Sequence, residues 1–264
     1  MQKRLILLIP LILAPCLSAC QDKEHSVIAI KTSDENFHFV ELDPDQTKNI
    51  IASKQGFALE CYTDYCVHCK SLEPLLKKYI EKSNNVIYRL NFGQFEDSED
   101  FHKQLGDVYP NIFKETSVPQ LLFIKDGELT YEVNSNKFSS YTALEKILNK
   151  HFITSNITMI TSLDALKEYE KSNSKYVSFM YDTSDNRSLE MSTSHIVNSD
   201  IASSKKPIVL INKASFDENL ADLLSYFNTS IITFASYKNG DEIKTIDYTN
   251  EDGGSQLDNL ISNL

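Results

Sequence analysis

Two four-residue turns, Lys125-Asp126-Gly127-Glu128 and Lys238-Asn239-Gly240-Asp241, each lie between two short apolar runs. Asp-Gly and Asn-Gly let a chain reverse between antiparallel strands, because both tolerate positive φ. Ahead of each turn, strand-length apolar runs alternate with helix-length amphipathic ones. Such alternation requires a mainly parallel sheet covered on both faces, and a closing hairpin adds an antiparallel edge. The chain has the outline of one α/β unit built twice.

The elements follow from spacing. In the first half, strands are expected at 37–42, 57–62, 86–92, 120–124 and 129–133. Asp43 caps and Pro44 opens a helix to about residue 53. A second helix spans 66–82, with Leu72, Leu75, Leu76, Tyr79 and Ile80 at helical spacing. Ser98 is expected to cap a third, placing Phe101, Leu105 and Val108 on one face. Ser139 or Ser140 caps a fourth, ending near 150. In the second half, strands are expected at 157–160, 176–181, 207–211, 231–235 and 242–246, with helices at 162–171, 189–197, 216–227 and 256–264. The domains are thus 36–151 and 156–264, joined near 151–156. Residues 20–35 form a tether with room for one early strand.

The N-terminus speaks to compartment. Lys3 and Arg4 precede an apolar run at 5–13, too short to span a bilayer comfortably, and Leu17-Ser18-Ala19-Cys20 follows. Residues 1–19 read as a secretory signal. They resemble the bacterial lipobox, which implies acylation of Cys20 and an extracytoplasmic chain lipid-anchored to the bacterial cell membrane. The net charge is −11, with no basic stripe, so nucleic-acid binding has no electrostatic basis. With Cys16 in the signal and Cys20 lipidated, Cys61, Cys66 and Cys69 remain, all within nine residues. A stapled scaffold spreads its cysteines along the chain, whereas a local pair in an exported protein reads as a working redox centre.

Cys66-Val67-His68-Cys69 opens a helix. There the first cysteine meets outward-pointing N–H groups and the positive end of the helix dipole, both of which favour a thiolate. The second cysteine lies one turn on and can resolve a mixed disulfide. The competing readings of the motif are a static disulfide and half a zinc site. Zinc wants four protein ligands, and only Cys61 and His68 lie nearby, so no metal is expected. No cofactor is implied.

The segment Leu59-Glu60-Cys61-Tyr62-Thr63-Asp64-Tyr65-Cys66-Val67-His68-Cys69-Lys70 resembles the active-site segment of the thioredoxin superfamily. It is nearest to the protein disulfide isomerase variant, which has histidine before the second cysteine. Glu60 falls at the family's buried carboxylate, Pro74 at its helix kink and Arg89 at a basic residue facing the carboxylate. Val118-Pro119 falls at its cis-proline loop. The resemblance covers about 36–150 and implies a thioredoxin fold, with the second half a degenerate copy lacking the C-x-x-C. It also implies roles. Cys66 is the nucleophile and Cys69 the resolving thiol, and His68 stabilises the thiolate. Glu60, its pKa raised by burial, shuttles Cys69's proton, and Arg89 moderates that shift. Tyr65, Val67, Val118 and Pro119 meet substrate. Some bland alternatives stand beside these roles: His68 as a solvent-facing residue without redox effect, Glu60 as a hydrated strand-end acid, Pro119 as trans. Cys61 reads as a buried, inert thiol, and the scattered histidines, His151 among them, as surface residues.

Aligning the halves places Met180 opposite Glu60, Asn186 and Leu189 opposite the cysteines, and Ile232 opposite Pro119. The second domain is then expected to serve orientation or substrate binding. The stretch from Gly106 to Asn111 is longer than simple thioredoxins need, and it either covers the site or recognises a partner. Bacteriocin-transport accessory proteins look similar here. The function expected is thiol–disulfide exchange on exported protein thiols and disulfides, oxidase or isomerase slightly ahead of reductase. A reductase would draw electrons from a membrane thiol-redox partner. The rival is a non-enzymatic lipoprotein binding module, or transport accessory, with a static disulfide.

Overall fold

The computed structural model describes residues 25–32, 39–134, 140–197, 202, 205–216, 218–250 and 252–264. Residues 1–19, Cys20, Phe37, His38 and Ser139 lie outside that description. Among the described residues, no helix is long and apolar enough to cross a membrane.

Two sheets form, each with the strand order the doubled pattern demands. The first runs β2 (Val40–Leu42), β4 (Tyr88–Asn91), β3 (Phe57–Tyr62), β5 (Gln120–Lys125) and β6 (Glu128–Asn134). β2, β4 and β3 are parallel, while β5 and β6 are antiparallel. The second repeats this as β7 (Phe152–Ile160), β9 (Ile208–Asn212), β8 (Lys175–Tyr181), β10 (Ala235–Asn239) and β11 (Glu242–Ile246). This is the thioredoxin fold twice in tandem. In the first hairpin Asp126 and Gly127 both take positive φ, whereas in the second only Gly240 does. The second turn thus reverses on Gly240-Asp241, one residue later than its Asn-Gly pair suggests.

Local chemistry sets the helices. α1 (Pro44–Ala52) begins with a reciprocal capping box: Asp43 Oδ1 accepts from the Gln46 N–H at 2.7 Å, and Gln46 Oε1 accepts from the Asp43 N–H at 3.0 Å. α2 (Val67–Ser83) buries Leu72, Leu76, Tyr79 and Ile80 and ends on left-handed Asn84. α3 (Ser98–Phe101) is capped by Asp97 rather than by Ser98, which is its first helical residue, and passes into a single π turn at His102–Gly106. That wider turn rotates the chain, so Phe101 and Leu105 are buried but Val108 is exposed, contrary to the even spacing expected. Tyr109 donates its hydroxyl to the Lys48 carbonyl at 3.2 Å, so the long 106–111 stretch leans on α1. α4 (Tyr141–His151) closes the first domain. α5 (Leu163–Ser172), α6 (Asn186–Ser192), α7 (Leu220–Tyr226) and α8 (Gly253–Ser262) serve the second.

Other expectations shift. The strand predicted at 86–92 is only Tyr88–Asn91, because Phe92 begins a 3-10 turn that Asn91 caps. The strand predicted at 231–235 starts at Ala235, leaving Ile232 half exposed. There is no joint at 152–156, since α4 runs directly into β7. His151 is not a surface residue. It is buried, stacks on Tyr131 at 4.0 Å, and its Nδ1 lies 2.9 Å from the His25 carbonyl.

The early strand that the 20–35 segment had room for is present as β1 (Val27–Thr32), but it is built into the fold rather than left in a tether. It runs parallel to β7 as the edge of the second sheet, although it precedes the first domain. Its other side reaches the first domain: Thr32 N–H donates to Asn84 O, and Val86 N–H to Ile30 O, both at 2.7 Å. Val27 and Ala29 enter the core beneath α2 and α4, and Ile30 enters a core common to both domains. In that shared core Ile50, Ile51 and Leu105 meet Tyr181, Leu189 and Ile196.

Candidate active site

The site begins at the C-terminal end of β3. The chain leaves Tyr62, and a turn closes where Cys66 N–H donates to Thr63 O at 3.3 Å. Asn91 Nδ2 pins the turn by donating to Asp64 Oδ2 at 3.0 Å. Cys66 keeps extended backbone and is the N-cap of α2, its Sγ accepting from the Cys69 N–H at 3.1 Å. Sulfur thus occupies the place where Ser or Asp oxygen caps most helices, at the positive end of the dipole. Cys66 Sγ also reaches the Val118 carbonyl at 3.5 Å, and the Val118–Pro119 peptide is cis. The loop ahead of β5 therefore stands directly against the thiol.

Cys61, Cys66 and Cys69 are free thiols, and only Cys66 is appreciably accessible. Burial, and then the hydrogen bond shared with Cys66, push the Cys69 thiol up to about 12. Cys69 therefore needs a base before it can attack. Cys61 is fully buried in the core, and burial raises its thiol far above the ordinary range, which leaves it inert.

Glu60 is a carboxyl group whose charge acts on Cys69. It shares with Ala58, two residues earlier, the sheet face beneath α2 and is 0% exposed. Burial raises its pKa to about 7, against the opposing pull of Arg89. Arg89 Nε lies 2.8 Å from Glu60 Oε2, but its N–H is not aimed along the contact, so charge rather than a well-aligned hydrogen bond holds the pair. The hydrated strand-end alternative for Glu60 does not hold.

Tyr65 and Val67 flank Cys66 as bare apolar surface, 89% and 73% exposed. His68 is solvent-exposed on the first turn of α2. Pro74 lies inside α2. Sequence reasoning missed the surroundings of Arg89. Its guanidinium lies over the Phe39 and Tyr62 rings, 4.3 and 3.7 Å from their centroids, and Nη1 is 3.4 Å from Glu41 Oε1. Tyr62 donates its hydroxyl to Glu41 Oε2 at 3.2 Å. Among the described residues, no cluster of His, Cys, Asp or Glu could hold a metal ion.

The second domain has the same frame with the chemistry removed, one residue away from the alignment expected. Asn91 and Asn212 each end a strand and cap a 3-10 turn, and they pair with Tyr62 and Tyr181 respectively. Hence Phe179, not Met180, corresponds to Glu60. Asp185 is the N-cap of α6, with its N–H donating to Asp182 O as Cys66 does to Thr63. The two cysteines therefore correspond to Asp185 and Ser188, not to Asn186 and Leu189. Leu210 stands for Arg89. The hairpin register puts Thr233, not Ile232, opposite Pro119. The loop before α6 is covered by the first domain: Gln46 Nε2 and Asn49 Nδ2 of α1 donate to Thr183 Oγ1 and O, each at 3.3 Å.

Fold and site together define a thioredoxin-type α/β protein with one dithiol centre. Residues 38–150 match the thioredoxin family model, and thiol–disulfide exchange is the kind of activity such a centre supports. No curated protein matches the chain. Among solved structures, the chain is similar to the short form of thioredoxin F from spinach chloroplast, with 22% identity, 47% of this chain and 96% of that chain covered, and a TM-score of 0.31. It is also similar to the reduced thioredoxin pre-protein of Schistosoma mansoni, with 19% identity, 44% and 99% covered, and a TM-score of 0.31. ERdj5 form II shares 14% identity over 88% of this chain and 30% of that chain, with a TM-score of 0.35.

Proposed function

We propose that this protein is an exported, lipid-anchored thiol–disulfide oxidoreductase acting on protein thiols and disulfides through Cys66 and Cys69. The observation that carries the reading is the accessible Cys66 sulfur at the start of α2, one hydrogen bond from Cys69 and in contact with the Val118 carbonyl. The signal-like segment at 1–19 and the lipobox-like Leu17-Ser18-Ala19-Cys20 support export and anchoring at Cys20.

The chemistry balances as follows. The Cys66 thiolate attacks one sulfur of a substrate disulfide, forming a mixed disulfide and expelling the other substrate sulfur as a thiolate, which takes a proton from water. Cys69 gives its proton to the Glu60 carboxylate and attacks Cys66 Sγ. The Cys66–Cys69 bond forms and the second substrate thiolate leaves. The protein loses two electrons and the substrate gains two; the reverse sequence oxidises a substrate dithiol. Tyr65 and Val67 offer apolar contact beside the reacting sulfur, and the 118–119 loop offers backbone. We assign the oxidising or isomerising direction over the reducing one from the histidine inside the motif. A reducing role would require a membrane thiol-redox partner.

Replacing the resolving thiol tests the reading. Cys69→Ser is expected to accumulate mixed disulfides with exported proteins, visible as reductant-sensitive adducts on non-reducing gels, and Cys66→Ser to give none. Absence of adducts from Cys69→Ser would contradict the proposal.

A further inference from the structure

The exchange mechanism uses Glu60 and Arg89 but leaves Glu41 without a task. β2, β4 and β3 lie side by side, and their register sets Glu41, Arg89 and Glu60 in one row across the sheet. Arg89 is the only cation in that row. It is 9% exposed, faces two aromatic rings, and stands between a carboxylate that is 55% exposed and one that is 0% exposed. We propose that Glu41 is a positioning residue that sets the protonation of Glu60 by competing for the charge of Arg89, an assignment that gives the exchange reading its proton control.

The reason is charge balance in a poorly solvated row. A buried cation needs one counter-charge, and a second buried carboxylate beside a satisfied pair is left to ionise against burial. Glu41 can supply the counter-charge cheaply, because it sits at the mouth of an open cleft that Asp43, Gln46, Tyr62, Asn91 and Gln94 also line. Both its oxygens are engaged, one by Arg89 and one by the Tyr62 hydroxyl. With Arg89 balanced from outside, Glu60 keeps its proton nearly to neutrality, where it can pass to and from Cys69. Other groups also face Glu60. Glu73 of α2 adds a further negative charge, itself ion-paired to Lys77 at 2.7 Å, and Cys69 stands at the head of the same helix.

The test is a carboxyl-carbon NMR titration of the reduced full chain, with the Glu60 resonance identified by its loss in Glu60→Gln. In Glu41→Gln the Glu60 midpoint is expected to fall by about one pH unit, because Arg89 then has a single partner. Glu41→Asp, which keeps the charge, should stay near the native midpoint. The fall should survive high salt, since the route through buried Arg89 is poorly screened, whereas a through-solvent effect of Glu41 would disappear. An unchanged midpoint in Glu41→Gln, or a shift abolished by salt, would overturn the proposal. A midpoint that moves as expected in a chain forming no mixed disulfides would overturn the exchange reading instead and leave this one standing.

Discussion

At the scale of single residues, the decisive property is the contrast between two neighbouring acids of the site. Cys69 is held as a thiol by burial, and Glu60 is poised near neutrality by the same cause. The stability consequence has a definite sign. The Glu60 carboxyl binds its proton more tightly in the folded chain (about 7) than in the unfolded one (4.5). Stability is therefore full below about pH 4.5 and falls as pH rises toward 7, with a cost of a few kcal/mol once the buried group is forced to ionise. Glu60→Gln should remove that slope. Chemical denaturation at pH 5 and pH 8 checks it: the native chain should lose stability between the two, and the variant should lose much less. Cys66 and Cys69 were legible as a C-x-x-C at a helix start, and Glu60 and Arg89 through the resemblance of the surrounding segments to the thioredoxin superfamily. Glu41 was invisible, because its row exists only once β4 is known to lie between β2 and β3.

At the scale of elements, local signals carried most of the reading. Asp43-Pro44, the apolar spacing of α2 and the Asp126-Gly127 pair each act within a few residues, and each marks an element that the structure contains. The misses came from elements that depend on distant chain. The π turn at His102–Gly106 adds a residue per turn that even spacing does not anticipate. The second-half alignment slipped by one for want of a cysteine, although Asp185 offered a capping signal of its own. The sequence has room for an early strand where β1 lies but does not reveal its place in the second sheet, because its partner, β7, lies on the far side of the first domain in sequence. Ile30 of this strand is buried in the shared core. Ile30→Ala should cost about 2–4 kcal/mol of unfolding free energy, measured by denaturant titration, if β1 is integral to the fold. A loss below about 0.5 kcal/mol would mark the strand as a loosely attached tether.

At the scale of the whole molecule, the second domain repeats the strand order of the first without its dithiol. At the positions that correspond to the dithiol it presents Asp185 and Ser188, and Phe179 and Leu210 stand in the places of Glu60 and Arg89. The loop leading into that site receives hydrogen bonds from α1 rather than from a substrate. β1 then fastens the pair from the opposite end of the chain, bonded to the second sheet and to the first domain at once. Duplication was legible from the repeated order of elements and the two hairpins. The packing of one copy on the other was not, because an apolar helix face does not announce which sheet it will meet. The active face of the first copy stays open, with Tyr65 and Val67 bare beside Cys66.

Cys66 and Cys69 exchange electrons in the proposed function, beyond capping a helix. The direct test is the equilibrium of the pair with a glutathione redox buffer, with Cys66→Ser as the control. A reduction potential between about −120 and −200 mV is predicted, because a bridge in that range passes readily to substrate thiols, and a value near −270 mV would turn the same centre into a reductant. A potential below about −300 mV would contradict the account, since such a bridge is a static structural bond and the chain would then be a binding module on a thioredoxin frame.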